Sequence, residues 1–158
     1  VIRTFARAFN GVEHRIELVR TWRGVRFYND SIASSPSRTI AGLRSFKEKV
    51  ILIAGGYDKH IPFDVLGPEV VEHVKLLIRG GATADNVRAA VEQAPGDRPG
   101  HPEILDVTPF QRAVETARDR AVPGDVVTLS PACAAFDQFK NFMERGKTFK
   151  AIVNSWQE

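Results

Sequence analysis

Four short apolar runs, Val50 to Ala54, Val74 to Ile78, Ile104 to Val107 and Val126 to Leu129, recur along this chain with helix-forming stretches between them. Runs of this length, rich in Val, Ile and Leu and without polar alternation, suit strands buried on both faces, and such strands occur almost only in parallel sheets covered by helices. The alternation of strand and helix therefore predicts an α/β fold with a mostly parallel sheet flanked by helices. Ahead of it, Arg15 to Trp22 and Val25 to Tyr28 are β-branched and aromatic segments joined by Arg23-Gly24, which predicts an N-terminal antiparallel β-hairpin. Ser35-Pro36 and Thr108-Pro109 each set a capping hydroxyl before a proline at the first helical position, the second opening a helix over Phe110 to Ala121 that Pro123-Gly124 ends. Thr83 or Asp85 is expected to cap Asn86 to Gln93, and Ala94 to Pro102 to form a surface loop. The last helix is expected from about Arg145 or Lys147 to Trp156, with Phe149, Ile152, Val153 and Trp156 on one apolar face.

Composition narrows the function. With 158 residues, 43% hydrophobic, the chain holds one core as a single domain, residues 1–158. Its 22 basic and 19 acidic residues are spread along the sequence, so no dense basic face is expected and no nucleic-acid partner. No apolar stretch approaches the roughly 20 residues that span a bilayer, and no signal-peptide pattern opens the chain, so no membrane partner and a cytoplasmic location are expected. The single cysteine, Cys133, cannot form an internal disulfide and is expected to be a buried thiol. A monomer is expected. The chain begins at Val1 without Met, in a helix-like Val1 to Ala6 segment, so a fragment lacking an N-terminal part is expected.

Three stretches stand where apolar runs give way to small and polar residues: Tyr28 to Pro36, Ala54 to Lys59, and Ser130 to Phe139. In a parallel sheet the strand-to-helix loops emerge at one edge, so Gly55-Gly56, Arg79-Gly80-Gly81 and Ser130-Pro131 should line one crevice, the place where open α/β sheets bind ligands. Gly55-Gly56 permits close backbone approach, though a tight turn alone would use the same pair. Lys59 adds an ammonium suited to a carboxylate or phosphate, where a solvated surface lysine is the plainer reading; His60 is read as exposed loop. Asp30 can accept hydrogen bonds from ribose hydroxyls or a metal-bound water, whereas Ser35 is read as a helix cap. In His14-Arg15, ahead of the first strand, Arg15 carries a guanidinium fork that suits phosphate, where an exposed surface pair is the plainer reading of the two residues alone. Cys133 has no histidine near it in sequence and small apolar neighbours, so packing is its reading. Phe136, Phe139 and Phe142 are spaced as a helical stripe, first a matter of core packing. No Cys/His metal spacing, G-x-S-x-G or G-x-x-x-x-G-K-[ST] occurs, so no catalytic nucleophile and no metal ligand of this chain is expected, and phosphate activation must come from elsewhere.

Taken together, Asn29-Asp30-Ser31, Gly55-Gly56-Tyr57-Asp58-Lys59, and Ser130-Pro131-Ala132-Cys133-Ala134 with Asp137 to Gly146 resemble the C-terminal domain of the Mur ligases, in the branch that adds D-glutamate. The likeness runs over essentially the whole chain. It implies a cytoplasmic three-domain enzyme of peptidoglycan synthesis. Its N-terminal domain holds UDP, its central domain holds ATP and Mg2+, and both are absent here. ATP phosphorylates the alanine carboxylate of UDP-N-acetylmuramoyl-L-alanine, and the D-glutamate amine attacks the acyl phosphate. The resemblance places Lys59 and Ser34 at one D-glutamate carboxylate, Ala135, Phe136 and Phe142 at the other, and Arg15, Asn29 and Asp30 at the nucleotide. The isolated domain is expected to be inactive.

Two departures stand out. Ala135 occupies a position that is serine in many members, which leaves only a backbone donor, and Ile32 replaces a lysine that approaches the terminal phosphate. A charged hydrogen bond contributes about 1.5–3 kcal/mol, so such a loss weakens a ligand about tenfold or more unless another group compensates. Two further readings remain open at this point: a stand-alone Rossmann-like module that binds an anionic metabolite, and a folylpolyglutamate-synthase-like domain.

Overall fold

The computed structural model describes residues 12–56, 64–80, 84–94, 102–133, 135 and 139–157. The Val1 to Ala6 segment and most of the Ala94 to Pro102 loop lie outside them. Six strands form one sheet: β1 (Glu17–Trp22), β2 (Val25–Asn29), β3 (Val50–Ala54), β4 (Val74–Arg79), β5 (Glu103–Asp106) and β6 (Val126–Leu129). Their spatial order is β1-β2-β6-β3-β4-β5, with β1 antiparallel to β2 and all other neighbours parallel. The helices are α1 (Pro36–Leu43), α2 (Leu66–His73), α3 (Ala84–Glu92), α4 (Phe110–Arg120) and α5 (Phe142–Asn154).

The runs in β3, β4 and β6 are buried on both faces, whereas Ile104, Leu105 and Val107, at the sheet edge formed by β5, are only half-buried, because no further strand covers that side. In β3, Val50 and Leu52 pack with Leu66, Val70 and Val91 under α1 to α3, while Ile51 and Ile53 pack with Val114, Phe149 and Val153 under α4 and α5. Each fully buried side chain of this size stabilises the fold by about 1.5–3 kcal/mol. Cys133 is buried in the first of these clusters, as its apolar surroundings predict. The pairings Asn29↔Leu129, Ile53↔Leu129 and Ala54↔Arg79 bring the C-terminal ends of β2, β6, β3 and β4 level, so the loops that follow share one edge.

Several boundaries differ from the sequence expectation. β1 begins at Glu17 rather than Arg15, because Ile16 takes a left-handed φ of 45° that breaks the extended backbone. β5 starts at Glu103 and stops before Val107. Thr108 does not cap α4: Pro109 is the N-cap, extended at φ −72° and ψ −177°, and the helix begins at Phe110. Asp85 lies within α3 rather than capping it, and Thr83 is outside the described residues. α5 begins at Phe142, three residues before Arg145, because the Asn141 side chain accepts the Glu144 N–H at 2.9 Å. That helix ends at Asn154, so Trp156 lies beyond it, against Trp22 and Phe27. α2 went unread because Gly67-Pro68 resembles a turn. Pro68 sits in the first turn, where an N–H has no intrahelical partner to lose, and a Cβ on Gly67 would lie 2.1 Å from the Ala90 carbonyl oxygen of α3. Among the described residues no helix is long and apolar enough to cross a membrane.

Candidate functional site

At the shared edge the loops are tied backbone to backbone. Gly55 N–H donates to the Pro131 carbonyl (2.9 Å), Gly80 N–H to that of Ala54 (3.1 Å), and Ala132 N–H to that of Ala33 (2.9 Å). Gly81 lies outside the described residues. The approach is close enough that a Cβ on Gly55 would fall 1.8 Å from the Gly80 carbonyl oxygen.

One side chain joins this edge to α5. Arg145 is buried, and its guanidinium donates from Nε to Ser31 Oγ (3.0 Å), from Nη1 to the Cys133 carbonyl (2.9 Å) and from Nη2 to the Ser31 carbonyl (2.8 Å), with Ser34 Oγ at 3.5 Å. Ser31 Oγ in turn donates to the Phe142 carbonyl at 2.7 Å. Arg145, Ala135, Phe139, Gly55, Gly56 and Arg79 line a cavity of about 30 Å³, room for roughly one water. Of the residues expected at the amino acid, Ala135 faces this cavity and Ser34 stands at its guanidinium wall. Phe142 opens α5, with its ring edge-on to His14 at 5.8 Å. Phe139 stands before α5 and packs edge-on to Phe110 at 5.0 Å, so Phe139 and Phe142 do not share a helical stripe. Lys59, His60 and Phe136 lie outside the described residues.

A second cleft, about 270 Å³ and open to solvent, is lined by Arg15, Ile16, Asp30, Ile32, Arg38 and Gly42, none of which lines the first cavity. Arg15 and Asp30 face it. Asn29 does not: it is fully buried, its Oδ1 accepts the Ser31 N–H (3.1 Å), and its Nδ2 donates to Glu17 Oε1 (3.1 Å) and His14 Nδ1 (3.0 Å). Burial pushes the His14 pKa down, which favours the neutral ring that accepts this bond. Gly146 makes room for the network, since a Cβ there would lie 2.2 Å from His14 Nδ1. The hydroxyl of Ser35, at the N-cap of α1, lies near Ser37 Oγ (3.3 Å) and makes no hydrogen bond to a helix N–H.

Asp30 is buried, with Oδ1 accepting from Ile16 N–H (3.2 Å) and Oδ2 from Ser130 Oγ (2.8 Å). Burial raises its pKa from 3.8 to about 6, against the pull of Ser130, Ile16, Arg15 and Arg38. A carboxyl whose folded pKa is raised binds more protons folded than unfolded. Its burial therefore costs nothing below pH 3.8, and the cost grows to about 3 kcal/mol as pH rises past 6. Asp30→Asn is expected to be more stable than the parent at pH 7.5 by about 2 kcal/mol, with the difference gone at pH 4. Urea denaturation across that range checks it; an asparagine variant less stable at pH 7.5 than at pH 4, relative to the parent, refutes it.

Sequence reasoning gave neither Arg145 nor Arg38 a place in the site. For Arg145 a signal existed: Asn141 followed by Glu144 is a helix-start pattern, and it places Arg145 on the first turn of a helix that faces the Ser31 loop. The interlock of His14, Asn29 and Gly146 has no local signal, because His14 and Asn29 meet only across the β1–β2 hairpin and Gly146 arrives from more than a hundred residues away.

Residues 14–133 match the family model described as "Mur ligase, glutamate ligase domain". The UDP-N-acetylmuramoylalanine--D-glutamate ligase of Acetivibrio thermocellus is 58% identical over 98% of this chain and 34% of its own length. The enzyme of the same name from Clostridium botulinum (strain Alaska E43) is 52% identical over 94% of the chain and 32% of its own length. The chain thus spans about one third of these relatives. Among solved structures, a murein peptide ligase of Psychrobacter arcticus superposes with a TM-score of 0.61 at 12% identity, over 94% of this chain and 31% of that one. Mycobacterium tuberculosis folylpolyglutamate synthase complexed with ADP superposes with 0.61 at 11%, over 92% and 33%. At such identities these two speak for the fold alone.

Proposed function

The chain belongs to the Mur ligase family, as its glutamate ligase domain, and from that premise we propose that it is the C-terminal domain of a three-domain, ATP-dependent ligase that adds D-glutamate to UDP-N-acetylmuramoyl-L-alanine in peptidoglycan synthesis. Residues 1–158 form one domain, and the UDP-binding and ATPase domains belong to the rest of a cytoplasmic, monomeric protein. The observation that supports the reading is that one loop borders two openings: Asp30 lines the cleft with Arg15, and Ser34, four residues on, contacts Arg145, which lines the cavity with Ala135. A segment that short holds a nucleotide end and an amino-acid end in fixed relation. Positioning an amine beside an acyl phosphate is the contribution such a domain makes to catalysis.

Within this reading Lys59 and Ser34 hold one carboxylate of D-glutamate, and Ala135, Phe136 and Phe142 the other, with Ala135 contributing its backbone alone. Arg15 and Asp30 face the nucleotide. Asn29 acts behind them, fixing Ser31 and the end of β2. The cleft suits part of a nucleotide: it carries guanidinium donors for phosphate and is smaller than the roughly 300–1,000 Å³ of a complete small-molecule pocket, so a facing domain must close it. Magnesium finds no comparable set. Among the described residues no three His, Cys, Asp or Glu converge on a metal position, and the ion is assigned to the central domain.

In the full-length protein, Lys59→Ala is expected to raise the KM for D-glutamate about tenfold or more while leaving that for ATP unchanged. An unchanged D-glutamate KM removes the lysine from the site. The 158-residue chain alone is expected to form no product. A folate substrate accepted in place of the UDP-linked one would select the folylpolyglutamate-synthase-like reading, against which stands the 58% identity to a D-glutamate ligase. An ATP-free, reaction-free full-length protein would revive the stand-alone binding module.

A further inference from the structure

We propose that Arg38 is a nucleotide-binding residue that acts with Arg15 as a two-guanidinium clamp on the phosphate chain; the inference rests on the reading of the Arg15–Asp30 cleft as the nucleotide site. Both side chains are exposed on that cleft and both act on Asp30. Neither makes a hydrogen bond or an ion pair with a described residue. The remaining arginines with described side chains are engaged: Arg26, Arg44, Arg112, Arg118 and Arg120 on carboxylates, Arg79 on Asp106, Arg20 and Arg145 on carbonyls, and Arg23 on the Trp22 ring. The two unengaged guanidiniums thus share one cleft. Its carboxyl, Asp30, is buried with both oxygens already accepting bonds.

The position of Arg38 is unfavourable for the fold taken alone. It lies in the first turn of α1, which holds no acidic residue and whose N-terminal end carries positive partial charge. A second cation, Arg15, stands across the cleft, and Ile32 between them contributes no charge. Above pH 6 the single Asp30 carboxylate offsets part of this, but one buried carboxylate faces two guanidiniums and a helix N-terminus, so the cleft keeps an excess of positive charge, and sites that break local rules are where function is expected. Two planar forks match the several oxygens of a phosphate chain better than one carboxylate.

The test uses the full-length protein, reading the Kd for ADP by calorimetry beside the KM values for ATP, D-glutamate and the UDP-linked substrate. Arg38→Ala is expected to weaken ADP and raise the ATP KM about tenfold, with the D-glutamate KM unchanged and the melting temperature of the unliganded protein not lowered. Arg38→Lys restores part of the loss, as a point charge without the fork. Arg38→Gln, which keeps the stem, serves in place of alanine if that variant folds poorly. An ADP Kd and ATP KM within twofold of the parent overturn the proposal, as does a rise in the KM for the UDP-linked substrate in place of that for ATP, or a parent protein that binds no ADP. Product formation reports on the ligase reading and ADP binding on the clamp, so the two fail separately.

Discussion

Gly55→Ala is expected to destabilise the chain by about 3 kcal/mol, lowering its urea midpoint by roughly 1–2 M. Two costs combine. Gly55 holds φ at +117°, where an L side chain is strained by about 1–2 kcal/mol. The added Cβ would also stand 1.8 Å from the Gly80 carbonyl oxygen, a backbone atom at the end of β4 that cannot swing aside as a side chain does. Overpacking of this kind costs about 1–3 kcal/mol. Relief requires the loop after β3 to move away from Gly80, which disturbs the Gly55 to Pro131 hydrogen bond and the loop edge beside the proposed amino-acid position. The full-length variant is therefore expected to lose D-glutamate affinity as well. A midpoint within 0.3 M of the parent would show that the loops do not meet as described.

Arg145→Met is expected to cost about 4 kcal/mol by the same measurement. Methionine fills most of the volume but donates nothing, so the carbonyls of Ser31 and Cys133 lose their donor in a buried setting, at about 1–3 kcal/mol each. Arg145→Lys should recover only part, because one ammonium cannot reach both carbonyls and Ser31 Oγ in the fork geometry of a guanidinium. Function separates this residue from a plain core contact. Arg145 is a positioning residue, holding Ser34 and the Ser31 backbone against α5, so the lysine variant should raise the D-glutamate KM more than it lowers kcat. A lysine variant as stable as the parent, with an unaltered KM, would remove the fork from the account.

How much was legible beforehand follows from the range of the interactions involved. The runs at Val50 and Val126 located β3 and β6 at their true limits, because burial on both faces leaves a strand almost no polar residue to blur its edges. Ser35-Pro36 located α1 for the same local reason: a proline at the first helical position suits its fixed φ. Thr108-Pro109 looked alike and differed by one residue, since Pro109 takes an extended ψ outside the helix. The start of α5 was misplaced although Asn141 and Glu144 announce it, because the phenylalanine spacing before it suggested helix in a stretch where Phe139 turns toward Phe110 instead.

The sequence by itself determined the class of fold, the edge at which the loops gather and the family, for each depends on patterns that neighbouring residues carry: periodicity, caps, and short motifs. Tertiary structure alone decided which polar residues face a ligand and which hold the scaffold. Asn29 and Asp30 are adjacent in one motif, yet Asn29 closes on His14 and Glu17 in the interior while Asp30 faces a cleft with two arginines. Arg38 and Arg145 are both arginines on the first turn of a helix, yet one is exposed without a described partner and the other is buried among carbonyls. The physical reason is that a side chain's role depends on which donors, acceptors and charges the fold sets around it, and those come from other elements, across the hairpin for Asn29 and His14 and across more than a hundred residues for Ser31 and Arg145.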